Sequence, residues 1–262
     1  MTKPIKQLAK TAIYNYYSFS FDKIQHPNKI LLILGHMRAG SSLLTHILNT
    51  NPEISGFGES HLRYATGEDF KELIYQVHRT LNKWQPSEKY VLDKVLHDSY
   101  LIDENLLISN KICAIFLIRE PKETLPSLIK INPHKKWDEI KALRYYTERL
   151  ENLEKYARLI NNKNRALAVT YEQIIENTEQ VFKTIEKFLD LKNSLSEQYE
   201  ILPTTGTLYV GDSSENIKTG SIVRKKYKSP DIEISPKTLE RAFDAFNQCH
   251  ATLSQYCSTP EI

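Results

Sequence analysis

An uncharged apolar run, Ile30–Leu34, passes without a linker into Gly35-His36-Met37-Arg38-Ala39-Gly40-Ser41-Ser42, and a helical pattern follows at once. No other stretch restricts the fold so tightly. Such a run, closed by glycine, reads as a strand buried on both faces, the condition of a parallel sheet covered by helices. Glycines in the loop free backbone N–H groups to point inward, and the next helix adds the positive end of its dipole. Strand, glycine-bounded loop, hydroxyl pair and helix together make a cradle for phosphate. The spacing of Gly35 and Gly40 matches the Walker A pattern, but Ser41 stands where that pattern requires lysine. That lysine reaches the β- and γ-phosphates of a nucleoside triphosphate. Here the cation, Arg38, precedes the second glycine, so the loop suits one phosphate held by backbone, hydroxyls and a single charge. The bland alternative is a tight strand–helix turn with ordinary serines.

Three further apolar runs, Tyr90–Leu92, Ile112–Ile118 and Ala166–Val169, read as strands. Helical periodicity separates them over Ser42–Leu48, Glu68–Leu81 and Trp137–Ile160. Asn177 with Gln180 three residues on predicts a helix start, and Ser235-Pro236 opens a last helix. Alternation of strand and helix predicts an α/β chain: a single domain over 1–262 with a central, mostly parallel sheet flanked by helices. Residues 1–28 read as a helical, aromatic extension, and 193–235, which lacks a sustained period, as a lid or binding loop.

A net charge of +3 excludes a protein that coats nucleic acid. No stretch reaches the roughly 18–20 apolar residues of a transmembrane helix. Lys3, Lys6 and Lys10 with the aromatic cluster Tyr14 to Phe21 lack the apolar centre of a signal peptide. A basic, aromatic helix can rest weakly on a membrane surface; a helix packed on the domain is the simpler expectation. Three cysteines, Cys113, Cys249 and Cys257, cannot all pair and show no metal-ligand spacing, so a reduced, cytoplasmic protein without a metal site is expected.

The run Ile112–Ile118 ends in Arg119-Glu120-Pro121, and a helix carries on through Thr124, Leu125 and Ser127. Active sites of open α/β sheets lie outside the carboxyl ends of the strands, so Arg119 and Ser127 face the crevice of the first loop. Arginine suits bidentate phosphate recognition; alone, it would read as a surface ion pair with Glu120 or Glu123. A Walker B strand would end in an acid for Mg²⁺. The candidate is Asp93, and Lys94 follows it directly.

Two separate phosphate sites without a triphosphate lysine describe a 3′,5′-bisphosphorylated nucleotide, and here the sequence resembles the sulfotransferases that use 3′-phosphoadenosine-5′-phosphosulfate (PAPS). Arg38-Ala39-Gly40-Ser41-Ser42-Leu43 is similar to the 5′-phosphosulfate loop of their carbohydrate and tyrosylprotein branches, Arg-x-Gly-(Ser/Thr)-(Ser/Thr)-Leu. Arg119 and Ser127 resemble the 3′-phosphate motif, and Thr170-Tyr171-Glu172-Gln173 the segment near the adenine. Asn51-Pro52-Glu53-Ile54 with Gly58-Glu59 resembles the stretch carrying the catalytic glutamate of the tyrosylprotein branch, with one residue more between Arg38 and Glu59. Val91-Leu92-Asp93-Lys94 resembles the strand that supplies that branch's active-site lysine. The Arg-Lys-Gly signature of the cytosolic branch is absent; Gly211 to Gly220 occupies its place, and Arg224-Lys225-Lys226-Tyr227-Lys228 is either an anion-attracting run or a solvated surface.

The resemblance implies sulfuryl transfer from PAPS to an acceptor hydroxyl, carbohydrate, lipid, phenolic or peptidic, without metal. It assigns Glu59 as base and Arg38 and Lys94 as charge stabilisers. Arg38, Ala39, Gly40, Ser41, Ser42, Leu43, Arg119, Ser127 and Tyr171 become donor contacts. His61 and His97 are rival bases, and Lys94 has a second reading as the ion-pair partner of Asp93 at a strand end. A kinase or nucleotide hydrolase with an atypical loop, and a non-catalytic nucleotide-binding relative, are the competing functions.

Overall fold

A computed structural model describes residues 29–83, 87–100, 102–131, 137–206, 216–224 and 232–262. The expectations for 1–28, for Gly211–Ser214 and for Lys225–Lys228 lie outside them. The apolar runs form the strands β1 (Lys29–Gly35), β3 (Tyr90–Val95), β4 (Ile112–Ile118) and β5 (Ala166–Thr170), with a two-residue edge strand β2 (Ile54–Ser55). The sheet order is β2-β3-β1-β4-β5 and every pairing is parallel. β3 runs past the predicted Leu92 because Asp93 and Lys94, both buried, continue it.

Helices cover both faces. α1 (Ser41–Thr50), α6 (Tyr171–Glu176) and α7 (Thr178–Leu189) pack on the face that carries Leu31, Ile33, Ile115 and Leu117. On the other face, Leu32, Leu34, Ala114 and Phe116 meet α2 (Gly67–Thr80), the short α3 (Glu104–Leu107), α4 (Pro121–Ile131), α5 (Glu139–Ile160) and α8 (Pro236–Tyr256). The period-two alternation of buried strand residues supplies both cores. Ser235 caps α8 ahead of Pro236, as predicted. Asn177 does precede α7, but its side chain makes no cap; the capping box is formed by Thr170 and Gln173 at α6.

β1 lies between β3 and β4, and the helices that follow β1 and β4 leave on opposite faces. That divergence opens a crevice at the carboxyl ends of β1 and β4. Described parts of the 193–235 region are packed against the domain: Tyr199, Leu202, Ile217 and Ile222 are buried. Arg224 makes a bidentate pair with Glu197 and also donates to Ile175 O and Thr178 Oγ1. It therefore pins this segment to α6 and α7 instead of offering a free charge. Cys113, Cys249 and Cys257 are all unpaired and buried. No described helix is long and apolar enough to cross a membrane.

Candidate active site

The last residue of β1 is glycine because a Cβ at Gly35 would stand 2.6 Å from Leu117 O of the neighbouring strand. The loop then turns through left-handed backbone at Arg38 (φ 67°) and Gly40 (φ 86°), the residue before α1. Without a side chain Gly40 cannot cap the helix, so the first N–H groups of α1, from Ser41 to Leu43, face the crevice as anion donors. Ala39 and Leu43 are buried in the α1-side core. Their side chains are thus turned from the crevice and any ligand contact of Leu43 falls to its backbone, while Ala39 N–H is already bonded to His36 O.

The two phosphate sites expected to be separate adjoin. Arg38 Nε donates to Ser127 Oγ (2.7 Å), and Arg119 Nη1 to Arg38 O (3.3 Å). The Arg119 guanidinium lies over the Tyr171 ring, 4.2 Å from its centroid, and its ionic neighbour is Glu172 at 3.9 Å, not Glu120. Arg119 Nε and Glu172 Oε2 are buried without hydrogen-bond partners. Burial raises the Glu172 carboxyl, an effect that Arg119 opposes. Tyr171 packs on Gly40, where a Cβ would come within 2.3 Å of Tyr171 Cδ2. One aromatic ring therefore packs against both the loop at Gly40 and the Arg119 guanidinium.

Lys94 and Asp93 point to opposite faces of β3, which removes the strand-end ion pair as a reading of Lys94. Lys94 Nζ donates to Ser42 Oγ (3.1 Å) and stands 3.6 Å from Glu59 Oε1. Asp93 accepts from Ser60 N (2.9 Å), Ser60 Oγ (2.6 Å) and Tyr64 OH (2.5 Å). That clamp, with Gly58 at φ 130° and Thr204 Oγ1 donating to Phe57 O, fixes the turn bearing Glu59. Burial raises the Glu59 carboxyl above its ordinary range, and Lys94 pulls it back in part. His61 and His97 both pack on Tyr100, with ring centroids 5.2 and 6.2 Å from its own, and His61 also acts on the Glu59 carboxyl in the same sense as Lys94. These ring contacts continue from His97 through Tyr145 to Trp137.

Sequence reasoning missed two supports beneath the loop. Arg149, fully buried, donates to Gly35 O (2.8 Å), Val95 O (2.6 Å) and Asp98 (2.6 Å). Tyr145 OH accepts from Met37 N (2.7 Å) and donates to Leu96 O (2.7 Å). Both fall on the inward stripe of α5, and that spacing was the available signal; an arginine there reads as solvated. Among the described residues no group of three or more His, Cys, Asp or Glu side chains is placed to hold a metal ion.

The family model described as "Sulfotransferase family" matches residues 62–194, just over half of the chain. The matched span contains Lys94, Arg119, Ser127 and Tyr171, while Arg38–Leu43 and Glu59 precede it. Solved structures share the fold. The sulfotransferase domain from the curacin biosynthetic pathway is 16% identical, with a TM-score of 0.58, covering 83% of this chain and 97% of that one. The sulfotransferase domain of the Synechococcus PCC 7002 olefin synthase is 18% identical, with a TM-score of 0.50 and coverage of 85% and 96%. Mouse sulfotransferase SULT7A1, solved in complex with PAP, is 14% identical, with a TM-score of 0.53 and 92% of each chain covered. Comparison with curated proteins finds no match.

Proposed function

This chain belongs to the sulfotransferase family, and from that membership and its site we propose that it moves a sulfuryl group from PAPS to an acceptor hydroxyl. One observation carries the reading. The uncapped start of α1, Arg38, Ser127 and Arg119 converge at one crevice, and Lys94 and Glu59 stand beside Ser42. The α1 N–H groups and Ser41 and Ser42 suit a 5′-phosphate, and Arg119 with Ser127 a 3′-phosphate. A structure of a neighbour complexed with PAP fits that division.

In the reaction, an acceptor oxygen forms a bond to sulfur as the bond from sulfur to the 5′-phosphate oxygen breaks in line. Glu59 takes the acceptor's proton. Lys94 and Arg38 meet the charge that grows on the leaving phosphate oxygen, together with the helix N-terminus. No metal is required in this scheme. Ser42 holds the position of the Mg²⁺-binding hydroxyl in a Walker loop, and here it accepts from the Lys94 ammonium, which would repel a cation. The acceptor is a carbohydrate, lipid, phenol or peptide hydroxyl, and three buried unpaired thiols suit a reduced, cytoplasmic setting.

The test is thermal denaturation with adenosine 3′,5′-bisphosphate, with ADP plus Mg²⁺, and with neither, followed by transfer assays from labelled PAPS with and without EDTA. At 100 times its Kd, the bisphosphate should add about 2.7 kcal/mol of stability. Stabilisation by ADP plus Mg²⁺ alone, or activity lost to EDTA and restored by Mg²⁺, would favour a kinase. Binding of the bisphosphate with no transfer to any acceptor would favour a non-catalytic relative.

A further inference from the structure

Arg119 follows the last residue of β4, where the sheet no longer dictates the backbone, yet its backbone is held on both sides. Its N–H donates to His36 Nε2 (3.0 Å), and its carbonyl accepts from Tyr146 OH (2.6 Å). These two rings pack edge to face with centroids 4.9 Å apart, and both are fully buried. An acceptor at Nε2 leaves the imidazole proton on Nδ1, which donates to Met37 O (2.8 Å). One neutral ring thus spans from the 5′ loop to the root of Arg119. Burial favours that neutral form, lowering the His36 pKa to about 4.

We propose that His36 and Tyr146 are positioning residues for Arg119, and that acceptance at His36 Nε2 sets the preference for a nucleotide carrying a 3′-phosphate over one without it. The inference rests on the donor site proposed above. A buried N–H that loses its acceptor turns to find another. Turning the peptide at Arg119 would swing the guanidinium away from Arg38 O and the Tyr171 face. The 5′ loop, held separately by Tyr145 and Arg149, would stay in place. The bonds of His36 Nε2 and Tyr146 OH to the Arg119 backbone thereby act on the 3′-phosphate, while the His36 Nδ1 bond to Met37 O belongs to the 5′ loop.

Substitutions separate the two hydrogen bonds of the imidazole. His36→Gln can place an amide oxygen near the Nε2 position and keep the Arg119 bond. His36→Asn reaches only the Nδ1 position and keeps the Met37 bond. Dissociation constants for adenosine 3′,5′-bisphosphate and adenosine 5′-phosphate, measured by calorimetry on the full chain, give the ratio that reads 3′-phosphate recognition. We expect His36→Asn to reduce that ratio by about tenfold or more through weaker bisphosphate binding, with binding of the monophosphate little changed. His36→Gln should restore most of the ratio, and Tyr146→Phe should reduce it in the same sense. An unchanged ratio in His36→Asn, or equal losses for both nucleotides, would overturn the assignment. Should His36→Asn fail to fold, an unchanged ratio in Tyr146→Phe would overturn it as well. A wild-type protein that binds both nucleotides equally would instead sink the proposed donor site itself.

Discussion

Burial lifts the Glu59 carboxyl above the usual glutamate range, and the Lys94 ammonium at 3.6 Å offsets only part of that. A base must be ionised to accept a proton, so turnover should rise with pH along a limb lying above that of an ordinary glutamate. Glu59→Gln should lower turnover by about 10²–10⁴-fold while leaving adenosine 3′,5′-bisphosphate affinity nearly intact, as single-turnover transfer and calorimetry would read. A carboxyl whose pKa is raised by folding stabilises the fold below its unfolded pKa, and that contribution is lost as pH rises through the folded value. At pH 7, therefore, Glu59→Gln should melt higher than the parent. A collapsed rate in His61→Ala or His97→Ala with a normal rate in Glu59→Gln would move the base to that histidine. His36 has the opposite sign: its lowered pKa means that the unfolded chain binds a proton first, so stability falls as pH drops from 6.5 towards about 4. His36→Gln should flatten that part of the melting profile. Glu59 and Lys94, which the resemblance picks out by their surroundings in the chain, do lie side by side. His36 was not legible, because nothing in the sequence tells a histidine that bridges two loops from a filler after a strand.

At the scale of elements, the start of α1 depends on a single glycine. Gly40 holds φ 86° with the Tyr171 ring where a Cβ would go. Gly40→Ala should cost about 1–3 kcal/mol of stability from backbone strain alone, and the displaced ring should weaken nucleotide binding further. Gly40→Ala combined with Tyr171→Ala would relieve the clash but not the strain, so a double variant as stable as Tyr171→Ala alone would contradict this account. β1 and β4 were legible because five and seven successive residues there are apolar. β3 extends past Leu92 because Asp93 and Lys94, which look like a strand's end, are buried in it, with Asp93 bonded to Ser60 and Lys94 beside Glu59. β2 has two residues, too few for any period. The helix start at Asn177 stands where its spacing predicts, but the reciprocal side-chain cap forms seven residues earlier, where Thr170 and Gln173 offer the same spacing.

Across the whole molecule, Arg149 ties the ends of β1 and β3 to the middle of α5 by charge-assisted bonds in the interior. Arg149→Ala would leave two buried carbonyls and Asp98 without their donor, a loss on the order of 3 kcal/mol in denaturant titration. The architecture followed from the alternation of apolar runs and helical stripes, so it was readable at low resolution. The contact between the two phosphate sites was not. It depends on the register that sets Gly35 beside Leu117, and no local pattern encodes which strands become neighbours.

The three sheltered thiols make the protein its own gauge of opening. Cys113 sits in the central sheet, Cys249 in α8 and Cys257 just past that helix. Burial pushes all three thiols up, Cys257 to about 12, so thiolate is scarce even where reagent could reach. A disulfide reagent mixed with native protein should therefore react with all three at one slow, shared rate, that of global unfolding. Adenosine 3′,5′-bisphosphate should slow the reaction in step with its occupancy, because it withdraws molecules from the unfolding equilibrium. A thiol consumed within the mixing time would show that its part of the molecule opens by itself.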